Sequence, residues 1–547
     1  MKDRNRGVWS FRSENALMGY ARGLRGMTAW AVKASVIWLV VLPMLGCSVR
    51  GPEGGLKPVV PVESGASVGA IPPPAQAPDE GRSHGSRAAE LDSILNRIGA
   101  EGAIVSARIV DVSSGQLIYE RNADRATIPA SNMKLFSSAA ALEFFGPDHA
   151  FETYLYLAGE DLWLIGSGDP GFGDSLIAER RQESTMAGID RWADELIARG
   201  VRRLAGRLLY FDGVFDRELV HPTWGRDDLQ YWYAAPVSGL NFNTNCIDIM
   251  GKPGEAGLPA TLWVKPATTM VTLENKTISG KGEPGADHTR PQMKNHYVVE
   301  GRVEREGEIS SAPVVDPGAF VADVVVEHLR SRGIVIEGGT ERVDRLPIKP
   351  GPDVTPLLLT PHRTKLVEIL PRVNKNSQNL MSEALAKAVG RAYLMKRGDR
   401  DAIGSWRSGH EAMAAMLREK KIDDQNFLAM DGSGLSRGNR VTARQVSELL
   451  VAMRKSANAK VFEESLAIGG VDGTIRNRFS GAKGRVRAKT GYIGGVRSLS
   501  GYVDSDSGRT IVFSIMYNNI PRRAGGIRDT RPFEMLQDEA LELLMKW

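Results

Sequence analysis

The chain has 547 residues, 42% of them hydrophobic and 25% charged, the balance of a soluble globular protein long enough for two to four domains. Its formal charge of +5 is concentrated at one end: residues 1–46 hold seven Lys/Arg against two acids, and the rest of the chain carries 63 of each sign. That leaves no basic footprint for a nucleic acid. With only Cys47 and Cys246, and eight scattered histidines without a His-Glu-x-x-His or a close pair, the sequence holds neither a disulfide scaffold nor a metal-ligand pattern. No phosphate-cradling glycine motif stands in a strand–helix context, so no cofactor is implied.

Lys33 precedes ASVIWLVVLPMLG, thirteen uncharged residues, which fits the apolar core of a signal peptide and is too short to span a bilayer. The run ends in MLGCS and resembles a bacterial lipobox, with Met44 where Leu is usual. Cys47 is then the expected lipidated residue, residues 1–46 the signal peptide, and membrane contact is through lipid alone. Residues 47–87, rich in Pro, Gly, Ser and Ala, read as a flexible tether spanning about 35 Å. If Cys47 carries lipid, Cys246 has no partner and reads as a buried apolar residue.

Folded sequence starts near Ala88. AELDSILNRIGA has helical spacing, and AIVSARIVDVSSGQLIYERNAD predicts two strands around a Ser-Ser-Gly turn. PASNMKLFSSAAALEFFG follows, with Ser131 opening a helix and Lys134 one turn on, on the same face. Ser131 is either a helix cap or a nucleophile with Lys134 as its base. Met133, Phe136, Ala140 and Leu142 can face a core.

From about Phe151 to Leu357 short β-type runs alternate with Gly/Pro turns, which predicts an inserted, β-rich region. Within it, PGAFVADVVVEHLRSRGIVIEGG predicts a helix running into a strand. Helical spacing resumes at TKLVEILPRVNKNSQNLMSEALAKAVGRAYL and at TARQVSELLVAMRKSA. RVRAKTGYIGGVRSLSGYVDSDSGRTIVFSIMYNN predicts two or three strands, and TRPFEMLQDEALELLMKW a closing helix.

Ser-x-x-Lys alone is a weak signal, because Ser480 and Lys483 repeat it in a Gly-rich turn. Ser-x-Asn is equally cheap; it occurs at Ser13 and Ser456 as well as at Ser377–Asn379. Lys489-Thr490-Gly491 occurs once. The ordered set Ser-x-x-Lys, Ser-x-Asn, Lys-Thr-Gly is the signature of active-site-serine penicillin-recognising enzymes. A rival nucleophile in GLSRG (Gly434–Gly438) fails, because the nucleophile-elbow arrangement needs a downstream histidine and the last one is His410. Matching copies in the tether, GASVG and GRSHG, lack the strand and helix.

The chain resembles the three-domain D-alanyl-D-alanine carboxypeptidase/endopeptidases, the type-4 low-molecular-mass penicillin-binding proteins. Beyond the three motifs the resemblance runs through GSGDPGF, YAAPVSGLNFNTN, MDGSGLSRGNRVT, IGGVDGTIRNR and AKTGYIGGVRSLSGYV. It includes the 242-residue gap between Lys134 and Ser377, where the family inserts two domains. It covers residues 90–547 and departs at Gln378, usually Asp, and at Tyr492, usually Thr or Ser.

The implied fold is α+β: a penicillin-binding, serine β-lactamase-like domain over residues 88–155 plus 358–547. It is interrupted by a second domain over 156–254 plus 313–357, with a third nested at 255–312. The implied activity is penicillin-sensitive D,D-peptidase chemistry on peptidoglycan stem peptides, with β-lactams as covalent inhibitors. Ser131 is the implied nucleophile and Lys134 its base. Ser377 relays a proton to the leaving amine, Asn379 bonds Lys134 and the substrate backbone, and Lys489 adds positive potential. Thr490 receives the terminal carboxylate beside Gly491. The N–H groups of Ser131 and Tyr492 form the oxyanion hole, at roughly 3 kcal/mol per donor. DDLQYWYAAP matches the block that holds the stem peptide's amino group, which implies Asp228 and Tyr233 there and Arg437 as a carboxylate partner. A β-lactamase on the same fold, and a peptidoglycan-binding scaffold with weak chemistry, are the alternatives. The resemblance implies export to the periplasm, and Ser48 after Cys47 favours the outer membrane in a cell that has one.

Overall fold

The computed structural model describes residues 85–97, 102–345, 355–521 and 529–547. The expected signal peptide, Cys47 and nearly all of the tether lie outside the described residues.

The body of the fold is an antiparallel sheet of six strands drawn from both ends of the chain. In spatial order they are Ala467–Ile468, Val486–Ile493, Val496–Asp504, Thr510–Asn518, Ile104–Asp111 and Leu117–Arg121. The last two are the hairpin expected around Ser-Ser-Gly, paired as Ile109↔Tyr119. Alternation along the strands sends side chains to two different cores. Ile511, Phe513, Ile515 and Tyr517 meet Leu91, Leu95, Leu536 and Leu541, from the two terminal helices Ser86–Asn96 and Arg531–Met545. Val512 and Met516, on the opposite face, join the larger core of helices.

At the centre of that core lies Met133–Phe145. Every residue from Met133 to Leu142 is buried, including Lys134, Ser137 and Ser138. The sequence allows this because Ser-Ser-Ala-Ala-Ala is thin enough for neighbours to close in, and the hydroxyls have partners: Ser137 Oγ donates to the Gly432 carbonyl at 2.7 Å. The packed helices are Leu366–Asn374, Asn379–Lys396, Trp406–Glu419 and Ala443–Arg454.

The insert has three larger sheets and more helix than its turn-rich sequence predicts. One sheet orders Thr340–Arg342, Leu208–Phe211, Asp161–Gly166, Ala150–Ala158 and Leu357–Leu358, with His362–Lys365 also paired to Ala150–Ala158. Helices Ala187–Ala198 and Pro317–Ser331 share a core with it. The spacing predicts only the second of these helices. Gly307–Pro313, Cys246–Lys252 and Thr261–Lys265 form a three-stranded antiparallel sheet; Asp287–Thr289, His296–Val303 and Thr272–Ser279 form a mixed one, in which the last two strands run parallel.

Ala150–Ala158 runs through the expected junction at 155–156. Its ladder reaches Lys365, beyond the expected 357–358. Cys246–Lys252, before the expected nested segment at 255–312, likewise pairs with Gly307–Pro313 and Thr261–Lys265, which lie almost wholly within it. Cys246 is buried as expected, and burial pushes its thiol up to about 12.

Candidate functional site

Ser131 lies in a short 3₁₀ turn, Ala130–Asn132, just ahead of the buried helix, whose N-cap is Asn132. No side-chain capping bond is made in either element, so the cap reading of Ser131 fails. Ala130 is held at φ 48°, a left-handed conformation that a residue with a Cβ adopts at a cost. Two glycines clamp this turn. A Cβ on Gly434 would sit 1.8 Å from the Ala130 carbonyl oxygen; one on Gly491 would sit 2.7 Å from the Pro129 carbonyl and 3.2 Å from the Ser131 nitrogen. The Lys489 strand and the 431–439 loop therefore close on Ser131 backbone to backbone.

Lys134 is fully buried. Its Nζ is 3.0 Å from Ser131 Oγ, 2.7 Å from Asn379 Oδ1 and 2.8 Å from the Ser433 carbonyl. Asn379 is oriented by its other end, since Nδ2 donates to the Tyr233 carbonyl at 2.7 Å. A neutral amine has two N–H bonds and one lone pair. Asn379 Oδ1 and the Ser433 carbonyl are acceptors and take the two N–H bonds, which turns the lone pair toward the hydroxyl of Ser131. Burial lowers Lys134 to about 7, opposed by the charges of Glu383 and Asp431. The Ser131 hydroxyl and the Lys134 amine are thus in hydrogen-bond reach, and burial favours the amine's neutral form.

Ser377 occupies the break between Leu366–Asn374 and Asn379–Lys396, at φ 59°. Its Oγ accepts from Lys489 Nζ at 2.9 Å; the same Nζ donates to the Thr490 carbonyl at 2.9 Å. Lys489 is fully buried and pushed well below its ordinary value by desolvation first and Lys134 second. The positive potential expected of it is therefore a charge that an arriving anion has to stabilise. Gln378 caps the next helix: its Oε1 accepts from the Leu380 N–H at 2.8 Å. The shorter Asp is thus replaced here by a side chain that still serves a helix N-terminus.

Thr490 Oγ1 donates to Thr474 Oγ1 at 2.8 Å, which brings the GGVDGTIRNR segment to the site. Tyr492 is exposed at the end of the strand, with the Arg497 guanidinium 4.6 Å from its ring centre. Asp228 lies in a 3₁₀ turn, Arg226–Gln230, and accepts from the Tyr233 hydroxyl at 3.0 Å. The Tyr233 carbonyl is the Asn379 partner, so this block of the insert touches the Lys134 network directly. Arg437 is exposed and donates to the Gly494 carbonyl at 2.7 Å, bridging its loop to the turn after the Lys489 strand. Ser480 lies in a separate 3₁₀ turn, Ser480–Ala482, with no helix after it.

The structure therefore brings Ser131, Lys134, Ser377, Asn379, Lys489, Thr490 and Gly491 together, with Tyr233 one bond further out and Asp228 one bond beyond it. Sequence reasoning missed the contributions of the Ser433 and Tyr233 carbonyls, because a backbone group carries no residue signature. It also missed Thr474 and the buried acids Glu383 and Asp431. The one available signal was spacing: Glu383 follows Asn379 by four residues on the same helix face.

Comparison with known proteins shows the family. The chain is 33% identical over 457 residues to a D-alanyl-D-alanine carboxypeptidase of Actinomadura sp. (strain R39), covering 78% of this chain and 80% of that protein. It is 26% identical over 439 residues to D-alanyl-D-alanine carboxypeptidase DacB of Haemophilus influenzae, covering 76% and 85%. The crystal structure of penicillin binding protein 4 (dacB) from Haemophilus influenzae superposes with a TM-score of 0.68 at 22% identity, over 85% of this chain and all of that one, and so shares the fold. The family described as D-Ala-D-Ala carboxypeptidase 3 (S13) matches residues 87–531, and the chain belongs to that family.

Proposed function

We propose that the protein is a serine D,D-peptidase that cleaves D-Ala–D-Ala termini or D-Ala–diamino acid crosslinks of peptidoglycan through an acyl-enzyme. The observation that carries this reading is the Lys134 site: a buried amine with two fixed acceptors and its third direction toward Ser131 Oγ. In acylation the Ser131 Oγ–carbonyl bond forms as the hydroxyl proton passes to Lys134 Nζ. The C–N bond of the tetrahedral intermediate then breaks, and the leaving amine takes a proton relayed through Ser377. Water hydrolyses the ester, which releases the shortened peptide and restores the Ser131 hydroxyl. Lys489 and Thr490 hold the terminal carboxylate, and the Ser131 and Tyr492 N–H groups face the developing oxyanion.

Asp228, Tyr233 and Arg437 are proposed to read the diamino acid side chain. A cavity of about 570 Å³ supports an extended substrate here, since Tyr231 and Trp232 of the insert and Asn376 and Gln378 of the Ser377 loop line it together. We infer a catalytic body interrupted between Ala150 and Lys365 by the insert, with a nested part between Cys246 and Pro313; the strand pairing supports this division. Among the described residues no helix is long and apolar enough to cross a membrane. The MLGCS sequence supports export and lipidation at Cys47; fatty-acid labelling of the wild type, lost in Cys47→Ala, tests it.

The functional test is incubation of purified protein with intact peptidoglycan and with labelled penicillin. Released D-Ala or monomeric muropeptides, and a lasting adduct mapped to Ser131, are expected. Rapid penicillin turnover without an adduct would mean a β-lactamase. An adduct without muropeptide release would mean a binding role.

A further inference from the structure

Asn379 and Glu383 stand one turn apart on the same face of Asn379–Lys396. Asn379 touches Lys134 directly. Glu383, completely buried, grips the loop that touches Lys134 from the other side. Its Oε1 accepts from the Ser433 N–H at 2.8 Å, and its Oε2 accepts from the Gly432 N–H at 2.8 Å and from the Trp406 indole N–H at 2.7 Å. The Gly432 carbonyl is pinned in turn by Ser137 and Ser382 hydroxyls at 2.7 and 2.8 Å. The peptide group whose carbonyl receives Lys134 Nζ thus belongs to a residue whose own N–H is held by Glu383.

We propose, resting on the serine-peptidase reading above, that Glu383 is a positioning residue for acylation: it fixes the Ser433 carbonyl against Lys134 and supplies a buried negative charge that steadies the ammonium formed when Lys134 takes the Ser131 proton.

The charges around this centre define the balance. Lys134 faces Glu383 and Asp431 as anions and Lys489 as a cation. Glu383 faces Asp431, Lys134 and Lys387; Lys387 is itself bonded to Asp216 at 2.6 Å and lies 3.8 Å from the Trp406 ring centre. His221 faces Asp431 from the insert. Asp431 is committed to its own loop, accepting from Gly434 N–H at 2.8 Å, Ser436 N–H at 2.5 Å, Asn439 Nδ2 at 2.7 Å and the Trp224 indole at 2.9 Å. Burial first and Asp431 second push the Glu383 carboxyl up to about 7, while three N–H donors favour its carboxylate. Lys134 and Glu383 then titrate as a pair, and the pH limb of acylation belongs to both.

The test measures the pH dependence of penicillin acylation of the full chain in wild type, Glu383→Gln and Glu383→Asp, with folding checked by circular dichroism. Glu383→Gln removes the anion, so Lys134 loses its proton more easily and the acid limb should move to lower pH by about one unit, with a reduced plateau. Glu383→Asp keeps the charge but shortens the reach, so the limb should stay and the plateau should fall roughly tenfold, the loss of about one bond to a charged group. An unmoved limb in Glu383→Gln, or a wild-type plateau in Glu383→Asp, overturns the proposal. Should Glu383→Gln not fold, Glu383→Asp still decides the positioning part. Failure of the wild type to acylate at Ser131 would instead overturn the underlying peptidase reading.

Discussion

The catalytic body and the insert both bury charge, and they treat it differently. Where the insert meets the body, Asp174 and Arg372 are buried together, with the guanidinium donating from Nε and Nη2 to the carboxylate at 2.8–3.1 Å. Asp212 in the insert likewise accepts from Arg217 and Arg342. In the body, the buried Lys134 and Lys489 are hydrogen-bonded to neutral oxygens only: hydroxyls, an amide and carbonyls. A guanidinium–carboxylate pair fixes both charges and gives structure. A lysine held by neutral acceptors stays in place while its proton can leave, which is what a general base requires.

Four substitutions probe this contrast. The largest effect belongs to the body. Lys134→Ala should lower penicillin acylation of Ser131 by about 10²- to 10⁴-fold, the usual range for a positioned base, with circular dichroism unchanged; an unimpaired rate would remove Lys134 as base. Next is the pair between the regions. Arg372→Ala strands Asp174 in the interior and should cost about 3–5 kcal/mol in denaturant unfolding, while the acylation pH limb of the folded enzyme stays where it was. A shifted limb would mean the pair is not purely structural.

A smaller effect is expected at Asp228. If it binds the stem peptide's ammonium, Asp228→Ala should lose about 1.5–3 kcal/mol, a roughly 10- to 150-fold fall in kcat/KM for substrates with the free amine. Benzylpenicillin, which lacks that amine, should react almost normally. Equal losses on both would count against a role in selectivity. The smallest effect is at the cap: Gln378→Ala should cost about 1 kcal/mol of stability, read as a lowered denaturation midpoint.

Much of the body was legible because its signals are local. The Ser-Ser-Gly hairpin, the helix after Ser131 and the Lys489 strand each declare themselves within about twenty residues, and the three motifs name side chains that do meet. What escaped depends on contacts between distant parts. Ser131 was read as the first residue of its helix, but the clamp of Gly434 and Gly491 holds it in a tighter turn that precedes it. Lys489 was read as a charge, yet its burial beside Lys134 opposes that charge. The helix Ala187–Ala198 was lost in a region whose glycines and prolines advertise turns. Beyond the spacing of Glu383 from Asn379, nothing in their sequence context marks the acids Glu383 and Asp431; only packing shows them buried at the centre.

On this reading Lys134 reaches Ser131 as a neutral amine, because burial lowers its affinity for a proton to about 7. Between that value and the ordinary lysine range, the native protein binds fewer protons at this site than the unfolded chain, so the site's own contribution to stability rises with pH across that window. Acylation should rise with pH through the same lower bound and then level off. The direct measurement is the rate of Ser131 acylation by penicillin from pH 5 to 9: an acid limb centred near 7 with a plateau above it is predicted, and a rate that is flat across the range, or that climbs only toward pH 10, would contradict the account.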